Sequence, residues 1–334
     1  MLGRLSLADL VCPQCQVGLV AAGAELECGG CGRHYPIVAG IPDLRLSEGP
    51  FISNADDRVK ASRIAERART ASFAELVAHY YELTPEVPTS DRARFTSSML
   101  GGVERSAHWL EVFSGLTPWN AAGRLVDVGC GTAPMLAAAR PGGELVGVDI
   151  ALRWLVIARK RLEESGIEAT LICANAESLP LRAASASVVT MDSALEHVAG
   201  QEAAAREVFR VLAPGGVWLV ATPNRWAWGP DPHIGVPFGG YLTSGMAARI
   251  ARWRRALPPV RRLLGARSLR RLMRAAGFGS VRIVAPPIGA AQRARLNTVG
   301  RIVIDVMNRF VRHPIGDRAL QAVGPLLAAA GRKA

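Results

Sequence analysis

Two pairs of cysteines, Cys12-Pro13-Gln14-Cys15 and Cys28-Gly29-Gly30-Cys31, are separated by twelve residues near the start of the chain. Each pair can present two thiolates to one tetrahedral ion, so Cys12, Cys15, Cys28 and Cys31 are expected to hold a structural zinc, with iron as the other metal the spacing admits. Further along, the apolar run Leu125-Val126-Asp127-Val128 breaks into Gly129-Cys130-Gly131, and Thr132-Ala133-Pro134 opens a helix. Glycines there permit a tight turn and let a ligand approach the backbone. The fingerprint of dinucleotide enzymes needs a third glycine, and Pro134 stands in its place. A second apolar run ends in Asp149-Ile150, and a carboxylate at such a strand end can accept two hydrogen bonds. Asn175-Ala176-Glu177 and Asp192-Ser193 follow later runs. His197 closes the second of these loops, and its ordinary pKa near neutrality suits a general base. Glu196 and His197 could share a divalent cation, but two ligands without a third make a weak site.

The elements needed to position these groups are legible as well. From Arg124 onward, apolar runs of about six residues alternate with helical stretches: Arg124–Gly129, Glu144–Ile150, Ala169–Ala174, Ser187–Met191 and Val217–Thr222. Continuous apolar strands between helices imply a parallel sheet covered on both faces, a doubly wound α/β fold. Trp154, Ala158 and Leu162 share one stripe of the helix after Asp149. A helix over Gln201–Ala213 should stop at Pro214-Gly215-Gly216. A helix at Ser268–Ala276, a strand at Ser280–Ala285 and a last strand at Pro325–Gly331 complete a seven-stranded sheet. Ahead of it, Phe73, Leu76, Val77, Tyr80 and Tyr81 recur at helical spacing. The chain therefore divides into a ribbon of short strands (8–48), a linker with a helical cover (49–120) and an α/β domain (121–334). The last contains a basic, aromatic insertion at about 225–267 and a basic C-terminal helical region.

These residues resemble the class I S-adenosylmethionine-dependent methyltransferases over roughly 121–224. Asp127-Val128-Gly129-Cys130-Gly131-Thr132 is similar to that family's first motif. Gly147-Val148-Asp149-Ile150 is similar to the strand whose acid takes the ribose hydroxyls. Asn175-Ala176-Glu177-Ser178-Leu179-Pro180 resembles the stretch facing the adenine, with Asn175 where an aspartate is usual. Asp192 and Ser193 open the loop beside the methyl donor. Arg210-Val211-Leu212-Ala213-Pro214-Gly215-Gly216 resembles the ubiquinone/menaquinone branch. The resemblance implies S-adenosylmethionine as cofactor and in-line methyl transfer, in which positioning supplies most of the acceleration. The ribbon and its continuation from Arg33 to Leu44 resemble the small zinc-ribbon activator of tRNA and protein methyltransferases, which implies a role in shielding an apolar surface or holding substrate.

Charge bears on the acceptor. Of a net +12, the stretch from Arg225 to the end carries nineteen arginines and one lysine against three aspartates, leaving the rest of the chain acidic. Such a region attracts RNA, an anionic membrane surface or an acidic substrate. Trp226, Trp228, His233, Phe238 and Tyr241, followed by Arg249, Arg252, Trp253, Arg254 and Arg255, suggest a planar or apolar acceptor pocket. Ile302, Val303, Val306, Met307 and Phe310 repeat at helical spacing between Arg301, Arg309 and Arg312, the pattern of a core-facing helix or of one lying on a membrane. Three functional readings follow: methylation of oxygen or carbon on a small or lipid-like acceptor; methylation of rRNA or tRNA; and a non-catalytic partner subunit that keeps the fold. Asp192-Ser193-Ala194-Leu195 lacks the Asn/Asp-Pro-Pro-aromatic pattern of exocyclic amine methylases, and intact Gly129, Gly131 and Asp149 argue for catalysis. With no leader-like N-terminus and no apolar run of about twenty residues, a cytoplasmic, non-spanning protein is expected.

Overall fold

The structure, a computed structural model of the 334-residue chain, describes residues 7–120, 122–139, 142–253, 260–294 and 296–334. Four short strands open it: β1 (Leu19–Ala22), β2 (Glu25–Cys28), β3 (His34–Val38) and β4 (Ile41–Pro42), antiparallel in that order. Four helices follow: α1 (Asn54–Ala68), α2 (Phe73–Glu82), α3 (Thr89–Leu100) and α4 (Gly102–Leu116). The α/β part runs β5 (Leu125–Val128), α5 (Pro134–Ala139), β6 (Leu145–Asp149), α6 (Leu152–Glu164), β7 (Thr170–Cys173), β8 (Ala186–Asp192), α7 (Gln201–Val211) and β9 (Leu212–Pro223). After α8 (Ser244–Trp253) and α9 (Ala266–Ala275) come β10 (Ser280–Val284), α10 (Ala290–Ala294), α11 (Thr298–Phe310), α12 (Pro314–Val323) and β11 (Leu326–Arg332).

The seven strands lie in the order β10-β11-β9-β8-β5-β6-β7. β5 to β9 pair in parallel, while β11 runs antiparallel to both β9 and β10. The strand order reverses between β5 and β8, and in such sheets ligands bind beyond the carboxyl ends at that reversal. Gly129 and Asp192 sit there.

β7 lies at the edge of this sheet, and unpaired edges invite association. Here the ribbon covers it: Leu44 N–H donates to Cys173 O at 2.7 Å, and Val11 N–H to Pro180 O at 3.1 Å. Leu10, Leu19, Leu26, Tyr35 and Leu44 are buried in one continuous core with Val148, Ile172, Leu179 and Leu181. The ribbon thus covers apolar surface of the α/β part.

The cover helices dock through the spacing read from sequence. In α2, Phe73, Leu76, Val77, Tyr80 and Tyr81 are all buried, and Tyr80 packs on Trp154 of α6 with ring centroids 3.9 Å apart. Ser72 and Glu75 form a capping box at its start. A cap stabilises by about 1 kcal/mol, whereas each large apolar side chain contributes about 1.5–3 kcal/mol on burial, so packing dominates.

Two expectations change. α7 stops at Val211 rather than Ala213: Leu212 turns extended and pairs with Ala186, and a register shift at Val188 absorbs Pro214-Gly215-Gly216 inside β9. α11 has no buried residue; Val299, Ile302, Val303, Val306 and Phe310 are 47–69% exposed. Among the described residues no helix is long and apolar enough to cross a membrane.

Candidate active site

The glycine loop is drawn tight by β6. Gly129 N–H and Cys130 N–H both donate to Val148 O, at 2.7 and 3.1 Å. Gly129 (φ 76°) and Gly131 (φ 53°) take the left-handed backbone, which costs a residue with a Cβ about 1–2 kcal/mol. A Cβ on Gly129 would also stand 2.3 Å from the Ala194 Cβ, so the loop after β8 lies directly against the glycine loop. Cys130 is buried against Gly147, where burial pushes its thiol well up, so the side chain is turned into the core rather than toward a ligand.

Asp149 closes the loop from the other side. Its two carboxylate oxygens accept Gly131 N–H and Ala151 N–H, both at 2.8 Å. Burial raises its pKa, while those two donors and Arg153 pull it down. Asp127 lies beneath, buried, with the Thr190 hydroxyl donating to it at 2.7 Å; burial pushes it up to about 7. Asp192 is half-buried and pushed up to about 6, chiefly by burial. Ser193 Oγ donates to it at 3.0 Å, and Ser193 itself takes a positive φ of 54°.

Asn175 has partners the sequence did not suggest. Its Oδ1 accepts Leu46 N–H and Ser47 N–H at 2.9 and 3.2 Å, and its Nδ2 donates to Ser47 Oγ at 2.8 Å. Nδ2 also donates to the Ser47 carbonyl at 3.5 Å, a contact that an aspartate could not make. The strap leaving the ribbon therefore crosses the ends of β6 and β7, and a Cβ on Gly49 would lie 4.0 Å from Ile150 Cδ1. Ala176 is half-buried beside it, and Glu177 Oε1 accepts Gly200 N–H at 3.0 Å.

A buried ionic cluster anchors this strap. Arg45 pairs with Asp43 at 2.7 Å and Asp57 at 2.8 Å, and it donates to Ile150 O at 3.0 Å. Asp57 also takes Leu152 N–H and Arg153. These residues look like ordinary linker charges in the sequence, and their role appears only on docking.

On the acceptor side, His197 Nδ1 lies 2.9 Å from Val260 O, and its Nε2 lies 3.3 Å from His233 Nε2. Glu196 is 2% exposed, pushed up to about 7 by burial, and accepts the Thr222 hydroxyl at 3.1 Å. His233 comes from the insertion and was noted in the sequence only among its aromatics. Asp231-Pro232-His233 was the available signal. Arg254 and Arg255 of that insertion lie outside the described residues.

The four cysteines converge. All four sulfurs lie within 4.8 Å of one another, Cys12 and Cys31 at 3.7 Å and Cys15 and Cys28 at 3.3 Å. Tetrahedral thiolates on bonds of about 2.3 Å stand about 3.8 Å apart, so the residues fit the metal their spacing implies. Cys31 N–H and Gly30 N–H point at Cys28, which is lowered to about 6. Tyr35, buried beneath, places its hydroxyl 3.1 Å from Cys12 Sγ. His34 turns away to Glu25 and is not among the four.

Comparison with known proteins bears on this arrangement. Residues 126–220 match the methyltransferase domain family. The demethylmenaquinone methyltransferase of Thermus thermophilus is 34% identical over 182 residues, which is 52% of this chain and 81% of that protein. The ubiquinone biosynthesis O-methyltransferase of Ruegeria pomeroyi is 34% identical over 39% of this chain and 50% of its own length. Among solved structures, a SAM-dependent methyltransferase of Thermotoga maritima aligns at 19% identity and a TM-score of 0.47, over 72% of this chain and 95% of its own.

Proposed function

Because the chain belongs to the S-adenosylmethionine-dependent methyltransferases, we propose that it methylates an oxygen or carbon atom of a small, lipid-like, ring-bearing acceptor. S-adenosylmethionine supplies an electrophilic methyl group. The observation that carries the donor site is the closure of the glycine loop by Asp149: two backbone N–H groups hold the carboxylate in place at the end of β6. Gly129, Cys130 and Gly131 would meet the donor through their backbone, and Asp149 with Ile150 would take its ribose. Ala176 and Glu177 would border the base, with Asn175 fixing the strap that closes that side. Asp127, Asp192 and Ser193 would face the methionine end, where carboxylates suit a cationic ligand.

The acceptor class is supported by relatives whose names concern quinone biosynthesis and by Trp226, Trp228, Phe238 and Tyr241, exposed on the insertion beside His197. It is supported too by α11, whose apolar face lies open between Arg301, Arg309 and Arg312. A helix of that kind suits an anionic lipid surface from which an apolar acceptor is drawn. His197, with Nε2 turned toward the insertion, is the group that meets the acceptor. Zinc on Cys12, Cys15, Cys28 and Cys31 would hold the ribbon against β7.

The test is methyl transfer from isotope-labelled S-adenosylmethionine into membrane lipid extract, with total RNA in parallel. Label in an extractable lipid, lost in Asp149→Ala, supports the reading. Label in RNA overturns the acceptor class, and the absence of binding by donor or demethylated product overturns the donor site.

A further inference from the structure

Glu196 and His197 lack a third ligand in sequence, and the fold supplies one. Ligand atoms of Glu196, His197 and His233 all lie within 4.8 Å of one another. Val260 O can only accept, so His197 Nδ1, 2.9 Å away, carries the proton and Nε2 bears a lone pair. On the second ring, His233 Nδ1 lies 3.3 Å from Asp231 Oδ1. Arg261 lies 2.8 Å from the other oxygen of Asp231, and Nε2 is the His233 ring nitrogen that faces His197. The two Nε2 atoms face each other at 3.3 Å. Two imidazoles on a tetrahedral ion with bonds of 2.0–2.1 Å stand about 3.3 Å apart. A proton shared by the rings would satisfy them alone. Glu196, buried, brings a carboxylate oxygen within the same 4.8 Å as a third ligand.

We infer that Glu196, His197 and His233 bind a divalent cation of the zinc class, at a site separate from the cysteine ribbon. Two imidazoles and one carboxylate leave coordination positions open, the pattern of catalytic rather than structural zinc. Val260 O, Asp231 and the Thr222 hydroxyl orient the three ligands from behind, as outer partners do at metal sites. The site lies on the loop that carries Asp192 and presses Ala194 on Gly129. On the methyl-transfer reading above, on which this role rests, the open positions receive the acceptor. Its hydroxyl gives its proton to solvent, and the oxygen pair freed forms the bond to the methyl carbon as the carbon–sulfur pair returns to sulfur. His197 is then a ligand rather than a free base.

Cobalt(II) distinguishes the two sites, because thiolates give intense near-ultraviolet charge-transfer bands and a histidine–carboxylate site gives weak visible bands alone. The full chain, stripped with chelator and reloaded, should take up about two cobalt ions, one for each proposed site. His233→Ala and Glu196→Gln should each lose the visible bands of the second site, keep the thiolate bands and show at least a tenfold weaker second affinity. Asp231→Asn leaves all three ligands in place and should still weaken that affinity about 10–100-fold. One ion per chain in the unmodified protein, or stoichiometry and spectra unchanged in all three variants, would overturn the site. S-adenosylhomocysteine titrated into the same samples should bind throughout. Its failure to bind any of them would overturn the donor reading while the cobalt data judge the cation site independently.

Discussion

Arg45 donates to Asp57 Oδ2 at 2.8 Å inside the protein, with both side chains at most 1% exposed. The pair joins the strap leaving the ribbon to α1, and through Ile150 O and Leu152 N–H it joins both to the end of the strand that carries Asp149. Removing Asp57 leaves Arg45 with Asp43 alone and takes the partner from Arg153 and from Leu152 N–H, all away from water. Asp57→Ala is therefore expected to cost about 3–5 kcal/mol of stability, read as a lower denaturant midpoint. Arg45→Lys should rescue little, since one ammonium cannot reproduce the fork held by Asp43, Asp57 and Ile150. A midpoint unchanged in Asp57→Ala would show that the cluster does not anchor the strap.

Asp149 is half-buried at the end of β6, with its carboxylate at the mouth of the glycine loop, so its loss should be felt by ligand more than by fold. Charge-assisted hydrogen bonds contribute about 1.5–3 kcal/mol each. Asp149→Ala should weaken S-adenosylhomocysteine about tenfold to a hundredfold in calorimetry, with circular dichroism unchanged. Equal affinity in the variant would remove the ribose assignment.

Gly129 faces two separable constraints. Gly129→Ala meets Ala194 at 2.3 Å and must also hold φ near 76°. Adding Ala194→Gly removes the collision and leaves the strained backbone. The single variant should lose donor binding, and the double variant should regain part of it. No regain would place the whole cost in the backbone.

What the sequence disclosed and what it hid divide along chain separation. Gly129, Gly131 and Asp149 were legible because a turn and a strand end impose their needs on adjacent residues. The edge cover of β7 was not, since the hydrogen bond from Leu46 to Asn175 spans 129 positions and nothing local to Asn175 announces it. His233 was visible as a residue but not as the neighbour of His197, because the insertion must fold back before the two rings meet. α11 reads the same in sequence whether its apolar face is buried or open; only the arrangement of its neighbours settles which.

The cysteine ribbon shares its core with the α/β part, so metal loss should not stay local. Chelation, or Cys28→Ser, is expected to lower the melting temperature of the whole chain in a single transition and to weaken donor binding through the strap at Asn175. Two separate transitions, the second unaltered, would mean that the ribbon and the sheet unfold independently.

Asp127 gives the protein a pH dependence whose sign follows from its burial. In the unfolded chain the carboxyl ionises near 3.8, and in the fold it is held at about 7. Between those values the folded state keeps a proton that the unfolded state has released, so stability falls as pH rises from about 4 to about 7 and levels off above. Asp192, held at about 6, acts in the same direction over the lower part of that window. Asp127→Asn should flatten the fall, because an amide keeps the Thr190 hydrogen bond without titrating. A cationic ligand favours the ionised carboxylates, so the melting gain from S-adenosylmethionine should grow between pH 6 and 8. The gain from S-adenosylhomocysteine, whose sulfur is neutral, should grow less. Denaturant midpoints across pH 4–8 for the two proteins provide the check. Parallel curves for Asp127→Asn and the unmodified chain would show that another group titrates there.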